Sequence, residues 1–246
     1  MAISSPLGSR QTVAALLTLT AVTGLVDAVS YLRLGRVFVA NMTGNVVFLG
    51  FSADPRSGLS PAASVIAIAG FLLGALAGGR AAHALAAAHP GRWLAMAFTG
   101  EALILAAVAA LTGTHVLPFA GSGRFATIAV LAMALGVQNS TVRHLGAPDL
   151  TTTVLTLTLT GLTADSALAA GPGARPHRRL GSVAAMLAGA GAGAGVLQWW
   201  SPVAVIAVAA TLVAAVAVAF MTATPAAIPA AAPAGRKAGE VLAAAG

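Results

Sequence analysis

An all-α, polytopic transmembrane helix bundle is the fold class this sequence predicts, and three observations carry it. Of 246 residues, 58% are hydrophobic and only 8% charged, against the roughly one-quarter charged that coats a soluble domain. Mean hydropathy is +0.91, and the apolar residues fall into eight runs separated by Gly, Pro and Arg. The chain also matches itself at a nearly fixed offset, which divides the eight segments into two repeats of four.

The first run, 12–32, follows Arg10 and is long enough to cross the hydrocarbon, which takes about 20 mostly apolar residues. It resembles the core of a signal peptide, but Asp27 interrupts it and its pattern recurs later in the chain, so it reads as a retained helix. The second run, 37–53, is short and carries Asn41, Thr43, Gly44 and Asn45 where a plain span would carry Leu or Ile. Runs 61–82, 93–116 and 125–145 have the length of full spans. The sixth, 150–170, is polar, with Thr152, Thr156, Thr160 and Thr163 along one stripe. Runs 181–200 and 203–222 complete the set, and Trp199 with Trp200 reads as an interfacial anchor. Six segments therefore span, while the second and sixth are short or re-entrant. Residues 1–11 read as a flexible N-terminus and 223–246, rich in Ala and Pro, as a disordered tail. Between them, 12–222 is one transmembrane domain.

Gly24-x-x-Asp27 matches Gly136-x-x-Asn139, and after a one-residue gap Gly35 matches Gly146, Asn41 matches Thr152, Asn45 matches Thr156, and Gly50-x-x-Ala-Asp54 matches Gly161-x-x-Ala-Asp165. The repeats are 12–117 and 125–222. With the N-terminus cytoplasmic, the 13 Lys and Arg residues divide eight inside to five outside if all eight segments span. If the second and sixth turn back, the division is nine to four, which fits the positive-inside rule better. Three spans per repeat would make the repeats inverted, a common transporter plan.

The net charge of +7 comes from basic residues scattered between apolar runs, not from the clustered phosphate-binding face that nucleic-acid recognition needs. With no Cys, disulfides, thiolate catalysis and Cys-based metal sites are excluded. His83, His89, His115, His144 and His177 lack the spacing of a helical zinc site. The run Gly189-Ala-Gly191-Ala-Gly193-Ala-Gly195 has no strand before it, so its glycines read as a close helix-packing face rather than a nucleotide loop. No cofactor or metal is expected.

A carboxylate inside a span costs several kcal/mol unless protonated, paired or facing water, so Asp27 marks either a pathway or an ion pair with Arg33 or Arg36. Thr20, Thr23, Asp27 and Ser30 share one helical stripe. Asn41 and Asn45, four apart, would present two amides on one helix face, with Gly44 allowing an unwound or closely packed backbone; they would coordinate a solute or glue helices together. Gln138, Asn139 and Arg143 cluster at the end of the fifth segment, where Arg143 is either a buried cation with Asp27 or Asp165 as its anion, or the basic flank of a span. Glu101 lies deep in the fourth, as a functional acid or paired near the interface.

The residues Gly24-Leu-Val-Asp27-Ala-Val-Ser30-Tyr31, Ala40-Asn41-Met42-Thr43-Gly44-Asn45 and Gly136-Val-Gln138-Asn139 resemble the YoaK-like family of bacterial inner-membrane proteins (domain of unknown function 1275). The resemblance covers about 12–222 and implies a multi-pass protein of the inner membrane with no established activity. Many relatives carry Tyr-Val-Thr-Gly-Thr in the second repeat, where this chain has Thr153-Val-Leu155-Thr156-Leu157. The Thr-Gly pair is absent from its second half.

These readings converge on a small-solute or ion transporter, not an enzyme, with Asp27, Asn41, Thr43, Gly44, Asn45, Gln138, Asn139, Arg143, Thr152 and Thr156 as substrate-binding residues. An intramembrane enzyme acting on a lipid, or a non-transporting scaffold, are the alternatives. Its partners would be the lipid bilayer and an unidentified solute or ion, with no nucleic acid, and a homo-oligomer is left open.

Overall fold

A computed structural model describes residues 5–86, 88–117, 119–145, 155–165 and 176–223. Among these residues there are eight α-helices and a short 3-10 turn: α1 (Ser9–Arg33), α2 (Met42–Phe51), the turn Pro55–Ser57, α3 (Pro61–Leu85), α4 (Pro90–Gly113), α5 (Gly123–His144), α6 (Leu155–Ala164), α7 (Pro176–Trp199) and α8 (Pro202–Thr222). Six are long and apolar enough to cross a membrane. Helix α2, with ten residues, rises about 15 Å, half the roughly 30 Å hydrocarbon thickness, and is too short to cross. Ten residues of α6 are likewise described.

Local chemistry places the helix starts. Pro61, Pro90 and Pro202 occupy the first turn of α3, α4 and α8, where a missing N–H costs nothing and the fixed φ favours the helix. Ser60 caps α3 by accepting the Ala63 N–H at 3.2 Å. Asp54 caps the 3-10 turn, and the backbone N–H and then the guanidinium of Arg56 hold its carboxyl below the usual carboxylate range.

Helices α1, α8, α4 and α5 close around the centre of the bundle, α7 packs along α1 and α3 along α5. Helix α1 is central, with 67% of its most apolar stretch buried, whereas α7 buries 22% and turns mostly outward. Glycine sets the α1–α7 and α3–α5 distances. A Cβ on Gly74 would land on the Met133 carbonyl of α5, and one on Gly189 on the Ala21 carbonyl of α1. The glycine run in α7 is thus a packing face, as its sequence suggests: Gly189 and Gly193 face α1, while Gly191 and Gly195 meet open space.

Two left-handed residues turn the chain back after α1. Gly35 has φ 107° and Arg36 has φ 56°, and the Arg36 N–H donates to the Tyr31 carbonyl at 3.1 Å. Residues 37–41 then re-enter the bundle without helical structure, so the second apolar run becomes helix only from Met42. Stacked rings hold this lead-in, with Phe38 5.2 Å from Tyr31 and 5.4 Å from Phe48. Gly35→Ala is expected to lower stability by about 1–2 kcal/mol, the cost of forcing a Cβ into positive φ, measured as a fall in the thermal midpoint in detergent.

Helix α6 lies on α7, where Arg179 donates to Asp165 at 2.7 Å. The guanidinium passes so close to Gly161 that a Cβ there would collide with it. The N-terminal residues 1–4, the tail 224–246, the sixth run's flanks and Thr152 lie outside the described residues.

Candidate functional site

The polar stripe of α1 is buried as its spacing predicts: Thr20, Thr23, Asp27 and Ser30 are all 3% exposed or less. The Thr20 and Thr23 hydroxyls donate to the Leu16 and Leu19 carbonyls, which satisfies them within the helix. Asp27 pairs with neither Arg33 nor Arg36. Its Oδ1 accepts the backbone N–H groups of Val39 and Ala40 at 2.9 and 3.0 Å, while Arg33 donates instead to the Leu197 carbonyl at 2.9 Å. The turn at Gly35 and Arg36 accounts for the amides, because it brings the lead-in back over the carboxylate. Asp27 Oδ2 is buried and has no hydrogen-bond partner among the described residues.

Beside it lies a cavity of about 340 Å³ lined by Thr23, Asp27, Ala40, Asn41, Thr43, Gly44, Val47, Phe48, Thr156 and Met186. Five of the ten residues singled out from the sequence therefore meet at one place: Asp27, Asn41, Thr43, Gly44 and Thr156. Among the described residues, no basic side chain lines the cavity. Asn41 is the N-cap of α2, its Oδ1 accepting the Gly44 N–H at 3.4 Å. A Cβ on Gly44 would come within 2.8 Å of the Phe38 ring, so this glycine serves close packing inside a regular helix rather than an unwound backbone.

Four others, all described, do not line it. Asn45 is fully buried and turned to the lead-in, where it accepts the Phe38 N–H at 2.9 Å and donates to the Phe38 carbonyl at 2.6 Å. The two amides were expected on one helix face; because the helix starts after Asn41, they diverge. Gln138 sits behind the cavity wall, its Nε2 donating to Thr23 Oγ1 at 3.0 Å, and its Oε1 is buried without a partner among the described residues. Asn139 donates to the Leu135 carbonyl in its own helix at 2.9 Å. Arg143 is exposed at the last turn of α5, and Asp165, once considered its anion, binds Arg179. Thr152 lies outside the described residues.

Thr23, Ala40, Val47, Phe48 and Met186 also line the cavity, beyond the binding residues the sequence suggests. Thr23 carried a signal, its place on the Asp27 stripe; Met186 carried none, since an apolar residue in an apolar helix looks like packing. Glu101 is 2% exposed on α4 and neither carboxyl oxygen has a partner among the described residues, so it is not paired near an interface, yet it does not line this cavity. A larger cavity of about 730 Å³ lies between residues 6–8, α1 and α8, but no charged side chain lines it among the described residues. The chemistry concentrates in the smaller one: a buried carboxylate oxygen, an amide and three hydroxyls share its wall with Val47, Phe48 and Met186. Such a set can take up a proton, a cation or the ammonium of a small solute.

Comparison with known proteins bears on this arrangement. A family described as "Protein of unknown function (DUF1275)" matches residues 15–219. The UPF0700 transmembrane protein YoaK of Bacillus subtilis (strain 168) is 34% identical over 166 residues, covering 63% of this chain and 67% of the relative. No solved structure matches.

Proposed function

We propose, on the premise that this multi-pass membrane chain belongs to the DUF1275 family of proteins of unknown function, that it is a transporter of a small cationic solute or ion. The observation that carries the reading is Asp27 Oδ2, a buried carboxylate oxygen without a partner among the described residues, on a residue of the 340 Å³ cavity wall. Ionisable residues in spans are costly and mark substrate or proton paths. Backbone that enters the bilayer without helix, like residues 37–41, is tolerated where it is buried or lines a cavity.

The helix pairs support an inverted-repeat plan. Helix α7 lies on α1 as α3 lies on α5, and α2 touches α3 as α6 touches α7. Gly24 meets Met186 and Ala190 as Gly136 meets Phe71 and Ala75. Transporters of this plan hold substrate at the repeat interface beside broken helices. In this reading the chain is not an enzyme, has the bilayer and an unidentified solute as its partners, and resides in the bacterial inner membrane, where helical bundles and not barrels are housed.

One observation favours the scaffold alternative: Asn45 and Gln138 spend their hydrogen bonds holding segments together. Flux into liposomes separates the two. With a panel of Na⁺, K⁺ and small protonated amines under a proton gradient, the wild type is expected to move at least one, and Asp27→Asn to lower that flux by about 10-fold or more, as loss of a buried charged contact implies. Asn41→Ala should lower it by a smaller factor. Unchanged flux in both variants would place the site elsewhere, and no flux of any panel member in wild type would leave the scaffold reading standing.

A further inference from the structure

A third cavity, about 270 Å³, opens between α3 and α4 over α5 at the end of the bundle where α3 stops and α4 starts. Its walls are almost wholly apolar, from Ala77, Gly78, Ala81 and Leu85 to Met96 and Ala97. Leu85 and Met96 are about half exposed on an outer surface that faces lipid. Two wall residues break the pattern. Trp93 and Thr141 line the groove, and both the indole Nε1 and the hydroxyl of Thr141 are buried without a partner among the described residues. An indole N–H can only donate, and a helical Thr ordinarily donates back to its own helix, which Thr141 does not do. What these two groups lack is an acceptor, the reverse of Asp27 Oδ2, which lacks a donor among the described residues.

The fold itself does not require those donors. A groove of similar size, about 300 Å³, lies between α7 and α8 over α1, and its lining is entirely apolar. There Val205, three residues after Pro202, takes the place that Trp93 takes three residues after Pro90.

Basic residues flank the lining of the α3–α4 groove in sequence. Arg80, His83, Arg92 and Arg143 are exposed and each lies within two residues of a lining position, and His144 stands edge-on to both His83 and Trp93 at 5.3 and 6.2 Å. No Asp or Glu occurs in 77–97 or 137–145. Basic pockets between membrane helices attract anionic headgroups.

We infer that the α3–α4 groove binds one phospholipid with an anionic headgroup, its acyl chain along Leu85 and Met96 and its ester or phosphate oxygens accepting from Trp93 and Thr141. The site is separate from the Asp27 cavity, and its test does not depend on transport.

Trp93 reports on the groove once Trp199 and Trp200 are replaced by Phe, since the chain has three Trp residues. In phosphatidylcholine vesicles carrying about 10 mol% of an acyl-brominated lipid, Trp93 emission is expected to fall about two-fold more with brominated phosphatidylglycerol than with brominated phosphatidylcholine. Thr141→Val, which keeps the shape and removes the donor, should reduce that preference. Ala97→Phe, which fills the groove, should reduce quenching by both lipids. Equal quenching by the two lipids would mean ordinary boundary lipid and would overturn the inference, as would quenching by neither or quenching unaffected by Ala97→Phe.

Discussion

Gly74→Leu and Gly189→Leu are each expected to lower the unfolding free energy by about 3 kcal/mol or more, at or beyond the upper end of ordinary overpacking. The reason is what the new side chain would strike. At both positions a Cβ meets the backbone carbonyl of the facing helix, at Met133 and Ala21 respectively, not the end of a flexible side chain. Only separation of the helices makes room, and separation loosens the whole α3–α5 or α1–α7 contact. Close approach of small residues is a main source of helix association in lipid, where burial from water contributes little. Gly79, Gly191 and Gly195 meet nothing within 4 Å, so the same change there should stay within about 0.5 kcal/mol, as at unremarkable surface positions. Denaturant titration in detergent distinguishes the two groups. Equal losses at Gly189 and Gly191 would show that the close contact is not what stabilises the pair.

Asp27→Ala should destabilise by about 2–6 kcal/mol, because it strands two buried backbone donors, Val39 and Ala40, at about 1–3 kcal/mol each. Asp27→Asn keeps an oxygen able to accept both, so it should retain most of the stability while removing the negative charge. The pair of variants therefore separates two tasks of one carboxylate: Oδ1 holds the lead-in to α2, and Oδ2, in the function we propose, is left for a ligand. Thermal unfolding of both proteins checks the first task and flux of the Asn variant checks the second. If Asn destabilises as much as Ala, the charge itself supports the fold, and a flux defect in that variant loses its meaning.

The features legible in the sequence are those that lipid penalises. Polar side chains at 27, 41, 43 and 156 stand out against an apolar background because each is costly in a bilayer, and the structure gathers them around one cavity. Asn45 stands out equally, yet its amide closes on Phe38; its direction depends on where α2 begins, which the residues from Val37 to Asn41 do not announce. Arg143 misleads for a related reason, since a basic residue near a helix end satisfies both an ion-pair and a flank reading until its exposure is known. Gly44 reads correctly as a close approach, but its partner, the Phe38 ring, is set by a turn of two left-handed residues. Met186 reaches the site from α7, and tertiary packing alone puts it there.

The glycine face between α1 and α7 has one more consequence. Helices that meet through interlocking side chains find their register from the teeth of the interface, whereas Gly24, Gly189 and Gly193 present nearly bare backbone, a smooth rail with few teeth. The clamps stand near the two ends: Arg178 reaches Ser9 Oγ at 3.4 Å, and Arg33 reaches the Leu197 carbonyl at 2.9 Å. Two arginines, each near a membrane surface, thus fix how far one rail sits along the other, and with it the height of Asp27 against Met186.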